Sequence, residues 1–446
     1  MVSIAEKRFM NKCSSASGLT ERLRALIQKL KDVGFYHVFL SSVLVKAVGM
    51  AGNIVLARIM SKTDYGTYSY ILNAYSVLIL LGDMGTNATN VQLGSECAQQ
   101  PEKQNAWFTW LFRQGMLIIL ASCVLVLMSP CFYPFQSREL GLYTSSLFLL
   151  PLLENVNRFI FSNARCKLQD RIYARINLFT SLVQWFFLLP MAYLFSFRGA
   201  IYSNYAIQLS TMIFGVYQCR SFLTFRGSAD ILNRVEKRTA MKLAFSSGLS
   251  NIINNSLGLV DIFFLGFVIQ DMSVIASYKV AANIPTALAF IPSAIDTVLL
   301  PRFARMQGDT RRILAAYEKV IGAVCGVNLL VCLGAFLLGP QVMTLLYGAQ
   351  YEDAAVCFSI LIVGYFFSCI RSVSYGVLYS QRKVGVNLMV VALSAVLTVT
   401  FNMLLIPVYG SIGAAATSAL VNLLAALIML GYLLYYFFSR ISAEKE

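Results

Sequence analysis

The chain has 446 residues, 58% of them hydrophobic and only 13% charged, about half the charged fraction of an average soluble domain. With 31 Phe and 23 Tyr it carries far more apolar surface than a solvated chain, so composition excludes both a water-soluble globule and a disordered protein. A net charge of +15 admits nucleic acid, anionic lipid or an acidic substrate as partner, and the placement of the basic residues decides among them.

Residues 1–34 form a polar, basic lead-in. Leu19, Leu23, Leu26, Ile27, Leu30 and Val33 recur in it at helical spacing, with Arg22, Arg24, Lys29 and Lys31 on the remaining surface. That pattern predicts a helix lying on the cytoplasmic leaflet; a solvated lead-in is the alternative. No cleavable signal peptide is expected, because the polar stretch precedes the first apolar run.

Six apolar runs follow, near 35–57, 66–84, 107–128, 143–163, 174–196 and 200–218. At about 20 apolar residues per crossing, each is long enough to span a bilayer. A basic linker covers 219–242, six more runs lie near 243–269, 274–300, 317–338, 356–379, 386–406 and 411–438, and residues 439–446 form a tail. The predicted organisation is thus an all-α integral membrane protein of about 12 transmembrane helices, in an N-terminal bundle (35–218) and a C-terminal bundle (243–438). Only Arg58, Lys62, Arg138 and Arg198 fall in the odd-numbered connections. The positive-inside rule therefore places both termini in the cytoplasm. Basic residues scattered over separate short loops account for the charge without a nucleic-acid partner.

Two halves of six spans suggest a duplication. A shift of 210 brings Tyr68 onto Tyr278 and Asn177-Leu178 onto Asn387-Leu388, and a shift of 211 brings Gly199 onto Gly410. An even number of spans per half makes the repeats parallel, around a central cavity near an axis along the membrane normal.

Charged residues inside the runs include Lys46, Arg113, Arg158, Lys279 and Arg371, with Asp83, Glu154, Asp261 and Asp296. Facing lipid, each basic or Asp side chain would cost about 2.5–3.5 kcal/mol, so they are expected to face a hydrated interior or one another. Lys46 and Asn53 share a polar face of the first run, and Asn251, Asn254 and Asp261 share one of the seventh. Arg158 and Arg371 lie at similar depth in the fourth and tenth runs. Two guanidiniums with Lys46 would suit a multi-oxygen anion such as a pyrophosphate. Lys46, Arg158, Arg371, Lys279, Asn53, Asn251 and Asn254 are accordingly the candidate substrate-binding residues, and Asp261, Asp83 and Asp296 the candidate ion-coupling ones. Competing readings stand beside these. Arg158 could pair with Glu154 one turn earlier, Arg113 could snorkel to the interface, and polar stripes also serve as glue between helices.

Catalysis finds little support. His37 is the only histidine, no Cys-x-x-Cys pair occurs among the ten cysteines, and neither a phosphate-binding loop nor an Asp-x-Asp pair is present. No metal or cofactor is expected, apart from a coupling cation, H+ or Na+, if transport is driven uphill.

Leu56-Ala57-Arg58 followed by Tyr65-Gly66-Thr67-Tyr68, then Val298-Leu299-Leu300-Pro301-Arg302-Phe303, then Ile406-Pro407-Val408-Tyr409-Gly410-Ser411-Ile412-Gly413-Ala414-Ala415 resemble the oligosaccharide flippase family. These are the polysaccharide transporters of the multidrug/oligosaccharidyl-lipid/polysaccharide exporter superfamily. The resemblance runs from about residue 35 to 438. It implies translocation of an undecaprenyl-diphosphate-linked oligosaccharide, such as an O-antigen repeat unit, from the inner to the outer leaflet of a bacterial inner membrane by alternating access. It also implies contact with membrane lipids, and polysaccharide polymerase and chain-length proteins as candidate partners. The motifs are architectural and do not select the binding residues. An organic-cation exporter of the same architecture is the alternative; a membrane glycosyltransferase or polymerase fits less well, because the predicted external loops are short.

Overall fold

A computed structural model describes residues 35–443, apart from 81, 98, 134, 136, 168, 222–230, 290, 293–302, 304–305, 307–309 and 382. The amphipathic reading of 1–34, the Val298–Phe303 motif up to Arg302, and Asp296 lie outside the described residues.

The described chain is helical, without a strand. The first half comprises α1 (Phe35–Ile59), α2 (Lys62–Leu78), α3 (Thr86–Glu96), α4 (Pro101–Leu127), the short α5 (Ser129–Phe132) and α6 (Arg138–Ser145), α7 (Leu150–Cys166) and α8 (Asp170–Cys219). The second comprises α9 (Arg234–Val268), α10 (Met272–Leu288), α11 (Thr310–Leu337), α12 (Gly339–Tyr347), α13 (Ala354–Ser380), α14 (Val384–Tyr409) and α15 (Ser411–Ala443). Among the described residues, six helices are long and apolar enough by themselves to cross a membrane, in α4, α8, α11, α13, α14 and α15. Their outward surfaces are apolar and exposed, as at Phe186, Tyr193, Leu330 and Val396. A soluble fold would bury such side chains; a lipid-facing surface needs them.

Every predicted span falls on helix over at least part of its length, with boundaries that differ at several places. The fifth and sixth spans meet in one run, α8, broken at Ser196 (φ 51°, ψ −138°), the residue at which the fifth was expected to end. The fourth starts at Leu150, because the preceding residues form α6 and a turn. The seventh begins nine residues early, at Arg234, where Asn233 and Glu236 form a reciprocal capping box that satisfies the first free N–H groups of α9.

The two halves repeat one another in detail. Ser61 caps α2 by accepting from the Asp64 N–H at 3.1 Å, and Asp271, 210 positions later, caps α10 by accepting from Ser273 at 2.8 Å. At the sixth span the register differs from the predicted pairing of Gly199 with Gly410. Gly410 (φ 59°, ψ −131°) has the backbone of Ser196, 214 positions earlier. Three residues beyond each break comes a glycine that touches a carbonyl of the preceding helix: Gly199 lies against Met191 and Gly413 against Leu405. The true partner of Gly199 is therefore Gly413.

The halves meet at both ends of the bundle. At the end with few basic residues, α2 and α10 cross so closely that a Cβ on Gly66 would lie 1.8 Å from the Met272 carbonyl oxygen. There Lys62 donates to both Asp353 carboxylate oxygens at 2.7 and 2.8 Å, Ser277 donates to the same carboxylate at 2.8 Å, and Gln350 donates to the Ala57 carbonyl at 3.1 Å. Arg58 also donates to the Leu345 carbonyl. At the opposite, basic end, Gly85 packs on Gly248 of α9, and Lys103 of α4 pairs with Glu236 at 2.7 Å. Between these two closures lie the cavities.

Candidate functional site

The larger cavity, of about 430 Å³, lies within the second half. Asp261 of α9, Lys279 of α10 and Arg371 of α13 line it, with Ser394 and Thr398 of α14 and Ser418 and Asn422 of α15. Three residues singled out from the sequence, on three different helices, thus converge on one space.

Their electrostatic situations differ. Asp261 is buried, and its carboxylate accepts from Tyr278 Oη at 2.5 Å, Asn402 Nδ2 at 2.8 Å and Ser418 Oγ at 2.6 Å. Charge-assisted bonds from three neutral donors hold a buried carboxylate without a cation. No lysine or arginine among the described residues comes within 4.0 Å of it. Lys279 and Arg371 have no acceptor and no carboxylate within bonding distance among the described residues, and the Arg371 Nε atom is fully enclosed without a partner. Enclosed cations lacking an anion are costly. In this cavity they are open to whatever anion enters.

A second cavity, of about 330 Å³, lies between the halves toward the basic end. Arg158, Asp83, Asn87, Arg165, Tyr173 and Asn177 of the first half line it, with Asn251 of α9. Its charges are balanced locally. Arg158 lies 3.7 Å from Glu154, one turn earlier on α7. Asp83 accepts from the Asn87 N–H at 2.7 Å and from Thr86 Oγ1 at 3.2 Å, capping the start of α3.

The three-membered clamp expected from Lys46, Arg158 and Arg371 does not assemble around one cavity. Arg371 lines the second-half cavity, and Arg158 lines the one toward the basic end, beside Glu154. Lys46 is exposed on α1 and Asn53 half-buried on the same helix, and neither lines these two cavities. The reason is geometric: similar depth in two helices does not make them neighbours, since α7 packs on α3, α4 and α8 while α13 packs on α11 and α15. The side chain of Asn254 and all of Asp296 lie outside the described residues. Lys279 replaces Lys46 as the companion of Arg371. Sequence reasoning missed the partners of Asp261. Tyr278 carried a signal as the repeat of Tyr68, but Asn402 and Ser418 sit on other helices, where no spacing points to α9. Among the described residues, no group of three or more His, Cys, Asp or Glu side chains forms a metal cluster.

Residues 55–356 match the family described as polysaccharide biosynthesis protein. The chain is 19% identical over 245 residues to a putative O-antigen transporter of Shigella flexneri, covering 52% of this chain and 57% of that protein. It is 28% identical over 236 residues to the probable flippase AglR of Haloferax volcanii, covering 50% and 46%. These two matches each span about half the relative's length. The fold is that of lipid II flippase MurJ in its inward closed conformation, with a TM-score of 0.71 at 15% identity over 91% of this chain and 90% of that one. With its helices, paired closures and polar cavities, the chain belongs to the polysaccharide biosynthesis protein family of membrane proteins.

Proposed function

We propose that the protein is a flippase that carries an undecaprenyl-diphosphate-linked oligosaccharide, an O-antigen or similar repeat unit, from the inner to the outer leaflet of a bacterial inner membrane. The observation that carries this reading is the pair Lys279 and Arg371, two cations with no counter-ion among the described residues, lining one cavity inside the bundle. A diphosphate supplies the missing charge, and a guanidinium engages its oxygens bidentately. The names of the relatives, a transporter of O-antigen and a flippase, agree with such a cargo. In this reading the basic end and both termini are cytoplasmic, and the two closures open in turn.

Asp261 is the candidate for coupling to H+ or Na+, since it offers a carboxylate with oxygen-bearing neighbours inside the same cavity. Polysaccharide polymerase and chain-length proteins remain the expected partners downstream. The cation-exporter reading is less favoured, because two unpaired cations face one carboxylate already held by three donors.

Reconstituted protein should move lipid-linked oligosaccharide between leaflets, measured as cargo becoming accessible to an enzyme outside the vesicle. Arg371→Ala and Lys279→Ala should each slow it at least about tenfold, the loss expected from one charge-assisted contact. Full activity in both variants would remove the diphosphate assignment.

A further inference from the structure

The cavity toward the basic end differs in chemistry from the one holding Lys279 and Arg371. Its arginines are occupied: Arg158 lies beside Glu154, and the Arg165 guanidinium stacks over Tyr173 at 5.7 Å. The Asp83 carboxylate further offsets their charge. What remains open is neutral and polar. The side-chain amides of Asn177, from the first half, and Asn251, from the second, line the space with no hydrogen-bond partner among the described residues. Each amide offers donors and an acceptor side by side, which suits hydroxyl groups that both donate and accept. The ring of Tyr173, packed edge-on to Phe161 at 5.6 Å, adds an aromatic wall of the kind that lines pockets for small polar ligands.

Position along α9 links the two cavities. Asn251 lines this one, and Gly258 and Asp261 line the other. Seven residues separate Asn251 from Gly258, two turns or about 10 Å of helix. A cargo with its diphosphate at Lys279 and Arg371 would have its covalently attached glycan within reach of this second space.

We propose that the cavity between Asn177 and Asn251 is the glycan subsite, which selects cargo by its sugar hydroxyls while the second-half cavity holds the diphosphate. This assignment rests on the flippase reading above. Because one amide comes from each half, a bound glycan also ties the halves together at the basic end. The prenyl diphosphate alone makes no such bridge.

The test compares two cargoes in vesicles: lipid-linked oligosaccharide extracted from the source cells, and undecaprenyl diphosphate carrying a single N-acetylglucosamine. The doubly substituted Asn177→Ala, Asn251→Ala protein should move the oligosaccharide about tenfold more slowly, the loss of one or two hydrogen bonds, and slow the single-sugar carrier, whose lone ring stays beside the diphosphate, by a clearly smaller factor. An introduced Asn251→Cys thiol should likewise be protected from a soluble maleimide by the oligosaccharide-lipid but not by undecaprenyl diphosphate. Equal slowing of both cargoes, or no change in either, would overturn the subsite. Equal protection by both lipids would overturn it as well. If the wild-type protein moved neither cargo, the flippase reading itself would fall, and the subsite with it.

Discussion

Three donors from three helices converge on the carboxylate of Asp261: Tyr278 of α10, Asn402 of α14 and Ser418 of α15. Asp261→Ala would leave them without their shared acceptor, each orphaned group costing about 1–3 kcal/mol. The variant should therefore melt several degrees lower in detergent, whereas Asp261→Asn, which keeps one carbonyl acceptor, should fall in between. If Asp261→Ala melted like the parent, the network would have no structural weight. The residue itself was legible in the sequence, because a charge in an apolar run has to be compensated and its helical spacing placed it on the polar face of α9. Arg371 and Lys279 were legible for the same reason. Their meeting was not, since spacing reports faces along one helix and says nothing about which helices adjoin. Arg158 shows the other side of this: its companion Glu154 is local, and the i, i+4 pairing read from sequence is the one found.

Among elements, the crossing of α2 and α10 is the tightest contact between the halves. Gly66 permits it, because any side chain there would collide with the backbone of Met272 rather than with a flexible group. Gly66→Ala should force the two helices apart and cost more than about 3 kcal/mol, visible as a large drop in melting temperature or in folded yield. The same substitution at Gly49, where a Cβ meets nothing within 4 Å, should be tolerated, so the pair of variants separates backbone contact from helix propensity. Element boundaries were readable to within a few residues where apolar runs ended in polar connections. At α8 the fifth run was read as ending at 196 and the sixth as starting at 200, and the helix breaks at Ser196, in a backbone region that favours glycine. The matching join of α14 and α15 falls at Gly410, between the runs read as 386–406 and 411–438. The repeat register read from Gly199 and Gly410 was off by three residues at this point, while the 210-residue offset read from Tyr68 and Tyr278 is also the offset between the caps at Ser61 and Asp271.

For the whole molecule, the alternating access proposed above would require the two closures to part in turn. The Lys62–Asp353 pair at the end poor in basic residues, reinforced by Ser277, opposes one opening; Lys103–Glu236 at the basic end opposes the other. Asp353→Asn should favour opening at the first end, read as a longer distance between spin labels at positions 63 and 350. An unchanged distance distribution would remove the latch. The other closure should respond to acid. The Lys103 ammonium, with the Asn233 N–H, holds the Glu236 carboxyl below the usual carboxylate range, so the pair is intact at neutral pH. It weakens only as pH falls through that lowered value. Acidification should thus widen the basic end in the parent protein and have no effect in Glu236→Gln. High salt should act in the same direction, since the pair is exposed.

The Ser196 hydroxyl donates to Asp64 at 2.7 Å, two residues along from Lys62, whereas the matching break at Gly410 has no side chain with which to hold anything. One elbow of the duplicated fold is therefore lashed to the rim that must part, and its twin swings unencumbered. When the rim separates, the tug reaches the first bundle alone, so two copies that began as equals should travel unequal arcs.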